Sequence, residues 1–157
     1  MEKIKPIELS EYRPFPYLIL SMRLDFVIED EFVTVSNSMQ VEPLSEHSMP
    51  LILQGIDLSL EAIYLNDFLL PKHAYNITHG ALIIHREFDG PFELRIVNRI
   101  DPFNNTSLEG LYFSDGMLTT QCEAEGFRRI CFHPDRPDVL SRYQVRIEAD
   151  IKKYPIL

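Results

Sequence analysis

Five histidines, two cysteines and 24 acidic side chains are the groups from which this 157-residue chain could build metal, nucleophilic or acid–base chemistry. The histidines are His47, His73, His79, His85 and His133. None stands in a His-Glu-x-x-His arrangement, the spacing that puts two imidazoles on one helix face for zinc. His73, His79 and His85 recur at even spacing with a turn at Gly80 between two of them, so a hairpin could bring them together on the surface. Ordinary, partly exposed histidines are the expected reading of that spacing. Cys122 and Cys131 are too far apart for a Cys-x-x-Cys pair and have no second pair, so they read as buried free thiols. Ser114 lacks a Gly-x-Ser-x-Gly elbow to present it as a nucleophile. Glu29-Asp30-Glu31 reads as a solvated acidic turn.

Gln121 and Glu123 are a more specific pair. They lie two apart, so on a continuing strand both side chains point to one side. An amide oxygen beside a carboxylate is a receptor for a protonated amine, because both accept its hydrogens and the carboxylate balances its charge. The same residues also fit an internal network, with Glu123 or Glu125 paired to Arg128 or Arg129.

The elements that must position these residues are strands. Apolar side chains alternate through Leu20–Glu29, with Leu20, Met22, Leu24, Phe26 and Ile28 on one face. They alternate again through Phe92–Ile100, with Phe92, Leu94, Ile96 and Ile100 inward, and through Arg142–Asp150, with Tyr143, Val145, Ile147 and Ala149 inward. Period two is the signature of a half-buried strand. Shorter runs at 32–36, 51–54, 56–65, 73–78, 81–85, 108–113 and 117–121 are rich in the β-branched and aromatic residues that suit a pleated surface. Gln54-Gly55, His79-Gly80, Asp89-Gly90-Pro91 and Ser114-Asp115-Gly116 supply turn chemistry between them. Asn37–Pro50 and Asp101–Ser107 carry no clean period and read as loops. Ala124–Ile130 allows at most one or two helical turns before Pro134. The sequence predicts an all-β, antiparallel sandwich with at most one short helical segment.

Hydrophobic residues make up 45% and charged residues 25% of the chain, the balance of an ordinary globular domain. Residues 1–157 suit one domain. The formal charge of −9 argues against non-specific nucleic-acid binding, which needs clustered Lys and Arg. No apolar run approaches the roughly 18 residues of a membrane span. With no secretory leader visible, a cytoplasmic location and no membrane partner are expected.

From Leu108 onward the sequence closely resembles the N-terminal domain of the M1 family of zinc aminopeptidases, bacterial aminopeptidase N type. Gly110-Leu111-Tyr112, the run Thr120-Gln121-Cys122-Glu123-Ala124-Glu125-Gly126-Phe127-Arg128-Arg129-Ile130, the run from Pro134 to Tyr143, and Ala149–Pro155 carry the resemblance. It implies a saddle-like β domain that packs on a thermolysin-like catalytic domain of the same polypeptide. It also implies that Gln121 and Glu123 bind the α-amino group of a peptide substrate, with Glu123 the principal anion. The family's Gly-Ala-Met-Glu-Asn segment and His-Glu-x-x-His zinc helix lie further along the polypeptide and are not among these 157 residues. The resemblance therefore assigns zinc to a longer parent. In this fragment it implies no metal ligand, no cofactor, no catalytic residue and no peptidase activity. Phe127 is expected to anchor the short segment in the core, and Arg128 and Arg129 to pair with acids across the domain interface. The alternative is a stand-alone β-sandwich module that binds peptide or carbohydrate, with Tyr112, Phe113 and Phe127 lining its surface. A third reading gives the domain no ligand.

Overall fold

The computed structural model describes residues 8–44 and 49–155. Eleven strands run through them: Tyr17–Ile28 (β1), Val33–Pro43 (β2), Leu51–Gly55 (β3), Ser59–Leu65 (β4), Phe68–Leu69 (β5), Tyr75–Thr78 (β6), Gly80–Ile84 (β7), Phe92–Ile100 (β8), Gly110–Ser114 (β9), Met117–Gln121 (β10) and Arg142–Glu148 (β11). The described helical residues are three single 3-10 turns, at Leu9–Glu11, Lys72–Ala74 and Phe127–Arg129. The fold is the all-β sandwich that the alternation predicts. A single turn forms within residues 124–130, but the turns at Leu9–Glu11 and Lys72–Ala74 go beyond the one short helical segment expected, and the second delays to Tyr75 the strand expected from His73.

A six-stranded sheet, in the order β11-β1-β2-β8-β4-β5, faces a three-stranded sheet, β3-β7-β6, while β9 and β10 form a separate hairpin. Met22, Leu24, Val33, Val35, Met39, Val41, Leu94 and Ile96 from the large sheet join Leu51, Leu53, Leu82 and Ile84 from the small one in a single buried core. Packing two inner faces in this way removes both apolar surfaces from water at once.

Four further local expectations change. Strand β2 continues through Asn37 to Pro43, where the sequence reads as a loop. Asn37 breaks the apolar period but keeps its place on the inner face, between Val35 and Met39, and is fully buried. Residues 45–48 of the expected loop, His47 among them, lie outside the described residues. In β1 the pairing with β2 slips between Ile19 and Ser21. That bulge turns Leu20 outward, whereas Met22 and Leu24 are buried as predicted. Strand β4 begins at Ser59 and not at Ile56, because Asp57 takes a left-handed φ of 56° that ends the extended run.

The fourth change concerns β11. It pairs parallel to β1, with Met22, Leu24 and Phe26 in register with Tyr143, Val145 and Ile147. The apolar stripe therefore lies on the core side of the sheet, as its period demands. However, β11 is the edge strand, and among the described residues nothing covers it. Tyr143, Val145 and Ile147 remain 53%, 55% and 48% exposed. Their inward orientation is correct and their burial is not.

The segment Ile130–His133 runs between the two sheets and is buried throughout. Two amides on the large sheet hold it: Asn98 Nδ2 donates to the Ile130 carbonyl and Asn37 Nδ2 to the Phe132 carbonyl, each at 3.0 Å. From the small sheet, Gln54 N donates to the His133 carbonyl at 2.9 Å and His133 N to the Gln54 carbonyl at 3.2 Å. A buried backbone segment must satisfy its polar groups, and these four bonds do so from opposite sides. The loop that carries Gln121 and Glu123 leads directly into this anchored segment.

Candidate functional site

Strand β10 ends at Gln121, and the chain turns at once. The hairpin that delivers it closes through Asp115 and Gly116, both with positive φ, the geometry that matches strand twist in a two-residue connection. After Gln121 the Gly126 N–H donates to the Cys122 carbonyl at 2.9 Å, and the Glu123–Ala124 peptide is cis. Gly126 is buried against this turn. A Cβ there would lie 2.7 Å from the Gln121 carbonyl oxygen and 2.9 Å from Cys122 Cα.

Glu123 therefore lies beyond the end of the strand, and alternation does not set the direction of its side chain. Instead, Gln121 Nε2 donates to the Glu123 backbone carbonyl at 2.9 Å. Both side chains are exposed. Among the described residues the Glu123 carboxylate has no hydrogen bond and no ion pair.

Its neighbours are all committed. Arg128 Nε pairs with Asp135 Oδ2 and Arg128 Nη2 with Glu125 Oε2, both at 3.0 Å. Arg129 Nε pairs with Glu109 Oε2 at 3.0 Å, and Arg129 Nη1 also bonds Asp57. The expected internal network thus forms through Glu125 and leaves Glu123 out. Both arginines expected to pair across a domain interface already have acidic partners within the chain. Two guanidinium groups face four carboxylates here, so Glu123 adds to a local surplus of negative charge that favours a cation.

Phe127 is half-buried, packs against the core and meets the His133 ring edge-on at 4.7 Å. Burial, opposed by the charge of Asp135, lowers the His133 imidazole to about 4, so it is neutral at pH 7. Burial first, and Asp135 second, raises both cysteine thiols above their ordinary range. Cys131 is buried, Cys122 is half-buried, and both are free and held as unreactive thiols.

His73, His79 and His85 do not come together as a ligand set. The His85 ring bonds the Asn76 amide at 3.0 Å, and the described residues contain no group of three or more His, Cys, Asp or Glu that could hold a metal ion. A cleft of about 580 Å³ opens elsewhere, lined by Asp30, Phe32, Asp57, Arg99, Asp101 and Phe103 among others. Gln121 and Glu123 are not part of it. Sequence reasoning singled out the two exposed residues of the loop and missed Gln54, Asp57, Glu109 and Asp135, which hold it. Nothing in the spacing of these four along the chain marks them. Their roles appear only when β3 and the Ile130–His133 segment meet.

No family model matches the sequence. The chain is 44% identical over 151 residues to aminopeptidase N of Caulobacter vibrioides, which covers 96% of this chain and 17% of the relative. It superposes on Legionella pneumophila aminopeptidase A, solved in complex with aspartic acid, with a TM-score of 0.88 and 31% identity, covering 96% of this chain and 18% of the other. An M1 zinc metallopeptidase of Deinococcus radiodurans bound to a Tyr-Ser-Ala substrate shares the fold, with a TM-score of 0.68 at 14% identity over 84% of this chain and 32% of its own. The chain thus spans about a sixth of the curated relative it matches. An all-β domain of the kind that M1 aminopeptidases contain is the class that this fold and these relatives define. In sequence and structure the chain corresponds to the N-terminal domain of the M1 family, aminopeptidase N type.

Proposed function

We propose that this chain is the substrate-positioning domain of a longer zinc aminopeptidase, and that Gln121 and Glu123 bind the α-ammonium group of the peptide. The observation that carries the reading is the uncommitted Glu123 carboxylate in a region where each neighbouring ion has a partner within the chain. An exopeptidase must read the charged end of its substrate, because that end fixes which peptide bond is cut. Glu123 supplies the anion. Gln121, with its Nε2 used on the Glu123 carbonyl, leaves its side-chain oxygen to accept a second ammonium hydrogen.

In this reading zinc would be held by the parent's catalytic domain, the partner the reading gives the chain, and would supply Lewis-acid chemistry there. The residues described here do not fit a zinc site, so no step through the metal is assigned to them. Among the described residues no helix is long and apolar enough to cross a membrane. The two free cysteines suit a reducing compartment, and the reading places the enzyme in the cytoplasm.

The test is peptide cleavage by the native-length protein and its Glu123→Gln variant. Loss of a charge-assisted hydrogen bond lowers kcat/KM by about 10- to 100-fold, while the 157-residue chain alone releases no amino acid. Unchanged kcat/KM in the variant would remove Glu123 from substrate recognition. A native-length protein that cleaves nothing would favour the stand-alone binding module.

A further inference from the structure

We propose that Asp135 is a positioning residue for amine recognition: acting through Arg128, it fixes the loop that presents Glu123. The proposal rests on the amine-binding reading of Glu123. Asp135 Oδ2 accepts from both the backbone N–H and the Nε of Arg128, each at 3.0 Å. Its backbone carbonyl accepts from Arg128 Nη2 at 3.1 Å, and its own N–H donates to Gln54 Oε1 at 2.9 Å. The Arg128 carbonyl in turn accepts from Ile56 N at 2.9 Å. One aspartate thus ties the end of the loop to the β3 edge by side chain and backbone together. The Arg128 and Asp135 side chains are only 19% and 13% exposed, so these charge-assisted bonds are screened far less than surface pairs.

The turn at 123–126 depends on that clamp. Beyond the strand that feeds it, its side-chain link to the rest of the domain, among the described residues, is Glu125 to Arg128 at 3.0 Å. Asp135 therefore orders Arg128, and Arg128 holds the turn through Glu125. The clamp has a second effect, since it occupies the Arg128 guanidinium. With Asp135 neutralised, Arg128 would be free to seek another anion, and Glu123 is the uncommitted carboxylate on the same turn. Asp135 keeps Glu123 both placed and available.

The experiment uses the native-length enzyme and two competitive ligands: leucinamide, which carries an α-ammonium group, and 4-methylpentanamide, which lacks it. Asp135→Asn keeps the shape and removes the charge. It weakens inhibition by leucinamide about tenfold or more, the scale on which small misplacements act, and leaves 4-methylpentanamide unchanged. In a Glu123→Gln background the same substitution adds less than about twofold, because both act on one interaction. A leucinamide constant unmoved by Asp135→Asn but shifted by Glu123→Gln would overturn the positioning role alone. One unmoved by Glu123→Gln would overturn the amine reading beneath it. Equal weakening of both ligands, or full additivity with Glu123→Gln, would mean general damage and would also overturn the proposal. If Asp135→Asn does not fold, Arg128→Lys keeps the charge but loses the forked geometry, and the same criteria apply to it.

Discussion

Gly126→Ala isolates the role of close packing beneath the Glu123 turn. Gly126 has φ −88° and ψ −14°, a conformation that alanine adopts freely, so backbone strain plays no part. Space is the obstacle. The added Cβ would lie 2.7 Å from the Gln121 carbonyl oxygen and 2.9 Å from Cys122 Cα, where ordinary contact begins at 3.4 Å. The shortfalls are about 0.7 and 0.5 Å. Both obstructing atoms are backbone, so no side chain can swing aside and the turn itself must open. Overpacking of this kind costs about 1–3 kcal/mol, against which the lower entropy of an unfolded alanine returns about 0.4–1 kcal/mol. A net loss of about 1–2 kcal/mol is expected from urea unfolding of the 157-residue chain. Gly90→Ala is the control, because nothing lies within 4 Å of its Cβ, and it should fall within about 0.5 kcal/mol of the parent sequence. In the native-length enzyme Gly126→Ala should also lower kcat/KM, since the displaced atoms belong to the residues that carry Glu123. Indistinguishable unfolding midpoints for the two variants would refute the close-packing reasoning.

Two further outcomes follow from burial. The folded His133 imidazole is lowered to about 4 from an ordinary value of 6.5, so between those pH values the unfolded chain takes up a proton that the folded one refuses. Stability is therefore complete above pH 6.5 and falls as pH drops toward 4, by up to about 3 kcal/mol from this group. Denaturant titrations across that window should show a shallower slope for His133→Gln, and parallel curves would reject the assignment. On β11, the exposed stripe of Tyr143, Val145 and Ile147 should make the isolated chain associate as its concentration rises. Val145→Lys should reduce that association in sedimentation experiments while changing stability by no more than about 0.5 kcal/mol. An unaltered mass distribution would show that β11 is not the sticky face.

Legibility in the sequence followed the physics of each element. Phe92–Ile100 is readable because Phe92, Leu94 and Ile96 alternate cleanly and Ile100 resumes the period past Asn98, and both of its neighbours are strands of the same sheet. Residues 37–43 are not, because Asn37 looks like a turn residue until its amide is seen bonding the Phe132 carbonyl. The stripe on β11 gives the face but cannot say whether anything lies over it. At the site, Gln121 and Glu123 stand out by residue type and by their resemblance to a family motif, but the strand on which alternation would align them ends at Gln121. The contact between the two residues runs from the Gln121 amide to the Glu123 backbone carbonyl. Asp135 and Gln54 had no local signature, since their partners are far away along the chain. Long-range polar contacts of this kind are set by how two sheets close on a segment, and no periodicity records them.

The exposure of Glu123 also limits what this domain can do by itself. A carboxylate and an ammonium ion in contact at a water-covered surface gain only about 0–1 kcal/mol, which would barely distinguish a free amine from a blocked one. The same pair in a partly dry cleft is worth several times more, because the effective dielectric constant falls. Such a carboxylate cannot be buried without a partner at modest cost, so it has to remain uncommitted until substrate and surrounding protein exclude water together. The local arrangement meets that condition: Arg128 and Arg129, the cations nearest in sequence, are already matched by Glu125, Asp135, Asp57 and Glu109. Amine recognition in this reading is therefore divided between two parts of one polypeptide. In it the β domain supplies an anion left unpaired among the described residues, and the proposed covering domain supplies the low dielectric that would make the anion selective.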